Sequence, residues 1–309
     1  MSHKIWFITG ASKGFGHVWT EAALARGDSV AAAARNIGSL DALAAKYGEK
    51  LLPIRLDVGD RAAVNAAVAK ANQQFGRLDV VVNNAGYGLF GAIEEVSEAE
   101  ARAQLETNLF GALWVTQAAL PIMRAQRSGH IIQISSIGGV FAVPTVGLYH
   151  ASTWGLEGFS QALAAEVKDL GIKVTIVEPG GFATEWGGPS AKRAQPIAAY
   201  DRARASLTQV RTASIPGDPM ATGPVMLKLV DMPDPPLRLF LGDAGLPMMC
   251  KEYADRLVTW DKWHALSVEA QGNLGARGAA GRTAAERPPS AVPTGTERRN
   301  GSHSAAAPI

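Results

Sequence analysis

The chain has a single cysteine, Cys250, in 309 residues. One thiol cannot close a disulfide within the chain, so no covalent staple holds the fold, and a reducing, cytoplasmic setting is the expectation. Long apolar runs are missing as well. No stretch reaches the roughly 18–20 apolar residues that a membrane-spanning helix needs, so no membrane span is expected. The opening MSHKIWFITG lacks the zones of a secretory leader and runs straight into a strand-like segment. There is no excess of charge either: 30 Lys and Arg against 28 Asp and Glu leave +2, too little to draw in nucleic acid or an anionic membrane. Metal-ligand spacing is absent. His150 and His264 stand alone in the sequence and read as packing residues, so no metal is expected.

What is present is a globular composition, 47% hydrophobic and 19% charged. Short apolar runs recur at residues 5–9, 29–35, 51–57, 78–83, 130–136, 173–178 and 237–241. Several, such as VVVNN and KVTIVEP, are apolar almost throughout, which is the habit of strands covered on both faces in a parallel sheet. Between them lie amphipathic, Ala-rich stretches. Asp60 predicts the N-cap of a helix over 61–75 that Gly76 ends. Ser97 with Glu100 forms a capping-box pattern for a long helix, and Pro121 inside that pattern predicts a kink or break. The alternation implies an α/β fold in three layers: a doubly wound parallel sheet of about seven strands with helices on both faces. Residues 1–275 are expected to form one domain, with an irregular, proline-rich lid over about 184–236. Residues 276–309 carry five Arg against two Glu and few large apolar side chains, the composition of a disordered tail.

The first strand runs into Thr9-Gly10-Ala11-Ser12-Lys13-Gly14-Phe15-Gly16, and a helical pattern follows at once. Glycines at such a turn let backbone approach a pyrophosphate, and the helix N-terminus presents free N–H groups. Gly10, Ser12, Lys13, Gly14, Phe15 and Gly16 are therefore candidate dinucleotide-binding residues. The second strand ends at Ala34 and Arg35, where an NAD-specific fold often places an acidic residue for the ribose 2′-hydroxyl. A cation at Arg35, with Lys13 as a second, fits a 2′-phosphate and predicts NADP(H) in preference to NAD(H).

These motifs, in this order, resemble those of the short-chain dehydrogenase/reductase family over about residues 4–270. TGASKGFG is similar to its TGxxxGxG loop. Asp57 and Val58 match its adenine-binding segment, Asn84-Ala85-Gly86 its NNAG stretch, and Pro179, Gly180 and Thr184 its PGxxxT turn at the nicotinamide carboxamide. Asn108, Ser136 and Tyr149 match its catalytic positions, Tyr149 also meeting the cofactor. The resemblance implies a Rossmann-type fold with strand order 3-2-1-4-5-6-7. It also implies hydride transfer between a nicotinamide and a carbonyl or secondary alcohol, and a homodimer or homotetramer built through helices near 98–125 and 147–169.

The chemistry explains the pairing. Hydride delivered to a carbonyl carbon leaves an alkoxide, which a Ser and a Tyr hydroxyl can stabilise and protonate. Ser136 ends a strand, and the loop after it is long enough to bring Tyr149 back to face it. The departure is Thr153, which stands where the resemblance implies the Lys of YxxxK. The i, i+4 spacing puts Thr153 on the Tyr149 face of the helix. Without that cation the Tyr pKa should rise by on the order of 1–2, impairing alcohol oxidation more than carbonyl reduction. The alternatives are a non-catalytic NADP(H)-binding protein and other chemistry in the same pocket. Tyr87, Leu89, Phe90, Phe141, Val143, Phe182 and Trp186 are the candidate lining for a lipophilic small-molecule substrate.

Overall fold

The IWFIT run has no polar residue before its last position, so it can serve only as a strand covered on both sides. In the computed structural model, which describes residues 3–213 and 215–272, it forms strand β1 (Ile5–Thr9), buried along its whole length. Ile5 and Phe7 enter one hydrophobic cluster and Trp6 and Ile8 the other, as the two-residue period of a strand requires. β1 is joined by β2 (Ser29–Ala34), β3 (Leu51–Arg55), β4 (Val80–Asn83), β6 (Gly129–Ile134), β7 (Ile172–Pro179) and β9 (Arg238–Leu241). The sheet order is β3-β2-β1-β4-β6-β7-β9, with every neighbouring pair parallel. A separate two-stranded element pairs β5 (Leu89–Phe90) with β8 (Lys192–Arg193).

Helices cover both faces. Helix α1 (Gly14–Arg26), α2 (Asp41–Tyr47) and α8 (Thr222–Asp231) pack on the Trp6 side, through side chains such as Trp19, Leu43 and Met226. Helix α3 (Arg61–Phe75), α5 (Gly111–Gln126) and α6 (Gly147–Val167) pack on the Phe7 side, through Val68, Val115 and Leu163. The expected three-layer, Rossmann-type architecture is what forms. The seven expected runs all become sheet strands, with no end displaced by more than two residues.

The caps read from sequence also form. Asp60 accepts the Ala63 N–H at 3.0 Å, and Gly76 ends α3 in the left-handed region. Ser97 and Glu100 exchange the reciprocal bonds of a capping box at the start of α4 (Glu98–Leu105). Pro121 does not break the helix. Helix α5 runs through it to Gln126. Pro121 and Gln117 are both exposed, so water can satisfy the carbonyl that loses its helical partner. The irregularity falls upstream, where Glu106–Phe110 forms a π-turn between α4 and α5.

Helices α7 (Asp201–Ala213), α9 (Gly245–Lys262) and α10 (His264–Gln271) complete the described elements. Among the described residues, those up to Ala254 make one compact unit and those from Asp255 to Gly272 fall in another; every residue of the site described next belongs to the first. The expected tail over 276–309 lies outside the described residues.

Candidate active site

Parallel strands deliver their C-terminal ends to one edge of the sheet, and the strand order reverses between β1 and β4. Ligands of such sheets bind in the crevice at that reversal. Here the crevice is a cleft of about 1640 Å³. Of the residues singled out from sequence as catalytic or cofactor-binding, all line it except Gly16, which lies beneath.

The glycine turn is tied down from below. The Thr9 hydroxyl accepts the Asn84 and Ala85 N–H groups, both at 3.0 Å. The Asn84 amide donates in return to the carbonyls of Thr9 at 3.0 Å and Gly10 at 3.2 Å. These bonds lock the end of β1 to the end of β4. Gly10 has φ of 66°, and a Cβ on Gly16 would stand 2.4 Å from the Gly10 carbonyl oxygen, so neither position admits a side chain without strain. The Lys13 side chain does not cap α1, so the first N–H groups of that helix face the cleft without a side-chain acceptor. The Lys13 ammonium is engaged elsewhere, paired with Glu185 at 2.8 Å. Arg35 is exposed at the rim and has no ion-pair partner among the described residues. Asp57 accepts the Gly59 N–H at 3.0 Å and faces the same rim.

At the other end of the cleft stand the two hydroxyls. Ser136 follows β6 and accepts the Gly138 N–H at 3.0 Å, starting the single turn Ile137–Gly139. The chain then returns to begin α6, which brings Tyr149 to the same cleft as Ser136. Burial pushes the Tyr149 pKa up to about 12, and the Ser136 hydroxyl offsets only a smaller part of the rise. Asn108 sits in the π-turn, where its amide both donates to the Tyr87 carbonyl at 3.0 Å and accepts the Tyr87 N–H at 3.1 Å. It also reaches the Ser152 hydroxyl at 3.3 Å, so its side chain joins the Tyr87 loop to α6.

Thr153 is buried, and its hydroxyl lies 3.1–3.2 Å from the carbonyls of Gly138, Tyr149 and His150. With one proton it donates to one of them at a time. Lys13 and Arg35 are the only Lys or Arg lining the cleft among the described residues.

The lining is largely as read from sequence. Tyr87, Phe90, Phe141, Val143, Phe182 and Trp186 all border the cleft. Trp186 sets its ring edge-to-face with Tyr149 at 4.8 Å and Phe90 at 5.6 Å. Phe182 packs against Phe15, on the glycine-turn side. Leu89 is a correction: it is buried away from the cleft, because neighbouring positions in a strand point to opposite faces and Phe90 takes the inner one.

Sequence reasoning missed a buried acid pair behind Ser135. Glu178 is fully buried and shares Arg238 with Glu157, at 3.4 Å and 3.1 Å respectively. The signal was available, since a carboxylate interrupts each of the apolar runs KVTIVEP and WGLEGF. Burial first, and then the facing Glu157, raise the Glu178 pKa to about 8. An unfolded chain releases that proton near the ordinary 4.5. Between those values the folded state holds more protons, so stability is greatest below the window and declines as pH rises through it. Glu178→Gln is expected to flatten this decline in melting temperature measured from about pH 5 to about pH 9. An unaltered slope would locate the pH dependence elsewhere.

Known proteins are similar to this chain in sequence and fold. The family described as short chain dehydrogenase matches residues 4–195. Oxidoreductase BOA17 of Botryotinia fuckeliana is 41% identical over 269 residues, covering 86% of this chain and 98% of its own. The crystal structure of a short-chain dehydrogenase from Streptomyces avermitilis superposes with a TM-score of 0.82 at 37% identity, covering 87% of this chain and 98% of that one. An alcohol dehydrogenase from Thermococcus sibiricus, solved in complex with 5-hydroxy-NADP, is 26% identical with a TM-score of 0.66, covering 78% and 96%. Among the described residues no helix is long and apolar enough to cross a membrane, and no three His, Cys, Asp or Glu cluster as a metal site.

Proposed function

The chain belongs to the short-chain dehydrogenase family, and from that premise we propose that it is an NADP(H)-dependent oxidoreductase acting on a lipophilic ketone, aldehyde or secondary alcohol. The observation that carries the reading is one cleft with an uncapped helix N-terminus over a glycine turn at one end and a Ser–Tyr hydroxyl pair at the other. Gly14 borders the cleft with open space beside its backbone, which leaves room for a pyrophosphate, and the first N–H groups of α1 would bond it. The free guanidinium of Arg35 suits a 2′-phosphate. Asp57 and Val58 would border the adenine, and Pro179, Gly180 and Thr184 the nicotinamide, which when bound supplies or accepts the hydride.

The remaining work falls to this chain's own side chains. Ser136 orients the substrate oxygen. Tyr149, protonated at neutral pH, gives that oxygen its proton in the reducing direction. For oxidation Tyr149 must first lose its proton, and Thr153 offers no charge to help, so oxidation is the slower direction. Asn108 positions the Tyr87 loop against α6. The apolar lining from Phe90, Phe141, Val143, Trp186 and Ile215 supports a lipophilic substrate. Assembly as a homodimer or homotetramer through α5 and α6 belongs to the same proposal, supported by the exposed aromatic rings of Phe110 and Trp154.

The test is a fluorescence titration with NADPH and NADH on the parent and on Arg35→Ala. The parent is expected to prefer NADPH. The variant should lose about 10–100-fold in NADPH affinity, the worth of a charge-assisted bond, with NADH unchanged. Equal losses for both cofactors would remove Arg35 as the discriminating group. A parent that prefers NADH would overturn the cofactor assignment.

A further inference from the structure

Polar groups of three α6 side chains converge on one carbonyl oxygen. His150 Nδ1 lies 2.7 Å from the Gly138 oxygen, Trp154 Nε1 donates to it at 3.1 Å, and Thr153 Oγ1, whose proton has two other carbonyls in reach, lies 3.2 Å away. The other imidazole nitrogen is engaged as well, since the Val143 N–H donates to His150 Nε2 at 3.0 Å. A backbone N–H can only donate, so Nε2 is the acceptor. Nδ1 therefore carries the proton and donates to Gly138. The tautomer follows from the partners rather than from any assumption about the ring.

The two bonds grip both ends of the loop after Ser136. At one end Gly138 also donates its own N–H to the Ser136 hydroxyl at 3.0 Å. At the other, Val143 and the neighbouring Phe141 form a wall of the cleft. The fit is close: a Cβ on Gly138 would stand 2.9 Å from the imidazole. His150 is 6% exposed, and its burial holds its pKa below the usual histidine value, which keeps Nε2 free to accept. A phenylalanine would fill the same space and make neither bond.

We propose that His150 is a positioning residue of the active site, clamping residues 138–143 to α6 as the neutral Nδ1–H tautomer and so holding the Ser136 hydroxyl toward Tyr149. The roles of Ser136 and Tyr149 rest on the function proposed above; the clamp itself rests on the hydrogen bonds. Asparagine places a polar atom near the Nδ1 position and glutamine near Nε2. The two conservative replacements therefore separate the two bonds.

The experiment compares amide hydrogen exchange in the parent, His150→Phe, His150→Asn and His150→Gln, together with single-turnover hydride transfer at saturating NADPH. His150→Phe is expected to speed exchange across 137–143 about tenfold and to leave the amides of β1 and β4 unchanged. His150→Asn should restore protection at the Gly138 end, and His150→Gln at Val143. Hydride transfer should fall about tenfold in His150→Phe and recover in part in His150→Asn, with NADPH affinity unchanged throughout. Unaltered exchange in His150→Phe, or faster exchange spread equally over the whole sheet, would overturn the clamp. A parent that binds NADPH and transfers no hydride would count against the proposed function, while the exchange pattern would still decide the clamp.

Discussion

Tyr149→Phe is expected to lower single-turnover carbonyl reduction by about 10²–10⁴-fold, the usual worth of a positioned acid. The variant should fold, because the ring keeps its edge-to-face packing on Trp186 at 4.8 Å and loses only the hydroxyl. With its pKa pushed up to about 12, the Tyr149 phenol keeps its proton at neutral pH and is available as a donor. Cofactor affinity should change by no more than about tenfold, the scale of one neutral hydrogen bond. The readout is NADPH absorbance in a rapid-mixing experiment with a lipophilic ketone. An undiminished rate in the variant would remove Tyr149 as the donor and leave the Ser136 end of the cleft without an acid.

The second large effect runs the other way. Thr153→Lys is expected to speed alcohol oxidation at neutral pH by about 10–100-fold, because a cation one helical turn from Tyr149 draws the phenol pKa down and increases the tyrosinate fraction. Among the described residues, no Lys or Arg near the phenol does this now. Lys13 is paired with Glu185, and Arg35 stands beyond the end of β2. Reduction should gain less, since the neutral phenol is already the form it needs. Losing the threonine hydroxyl leaves the Gly138 carbonyl with His150 and Trp154. Thr153→Met, long but uncharged, is the control. Equal oxidation rates in the parent and Thr153→Lys, or an equal gain in Thr153→Met, would contradict the electrostatic account.

Much of the fold and the outline of the cleft could be read from the chain. Strands covered on both faces announce themselves as unbroken apolar runs, and TGASKGFG, NNAG and the Ser–Tyr spacing sit at strand ends, where the sheet brings them together. What escaped depends on partners far apart in sequence. Lys13 meets Glu185 across 172 positions, and Arg238 meets Glu157 across 81. Pairings at that distance leave no local periodicity. That Pro121 would not break α5 was not legible because its cost depends on whether solvent reaches the orphaned carbonyl, which sequence does not report. Leu89 was misjudged because a two-residue strand is too short to reveal which face is inward. His150 reads in sequence as a packing residue, and its burial agrees. Its two hydrogen bonds become visible only when the loop from Ser136 has folded back onto α6.

The most direct measurement is a crystal structure of the protein with NADP⁺ bound. The account predicts the pyrophosphate against the N-terminus of α1 at Gly14, the 2′-phosphate on Arg35, and the nicotinamide C4 facing the Ser136 and Tyr149 hydroxyls. A dinucleotide bound away from the glycine turn, or a nicotinamide ring turned away from those two hydroxyls, would contradict it.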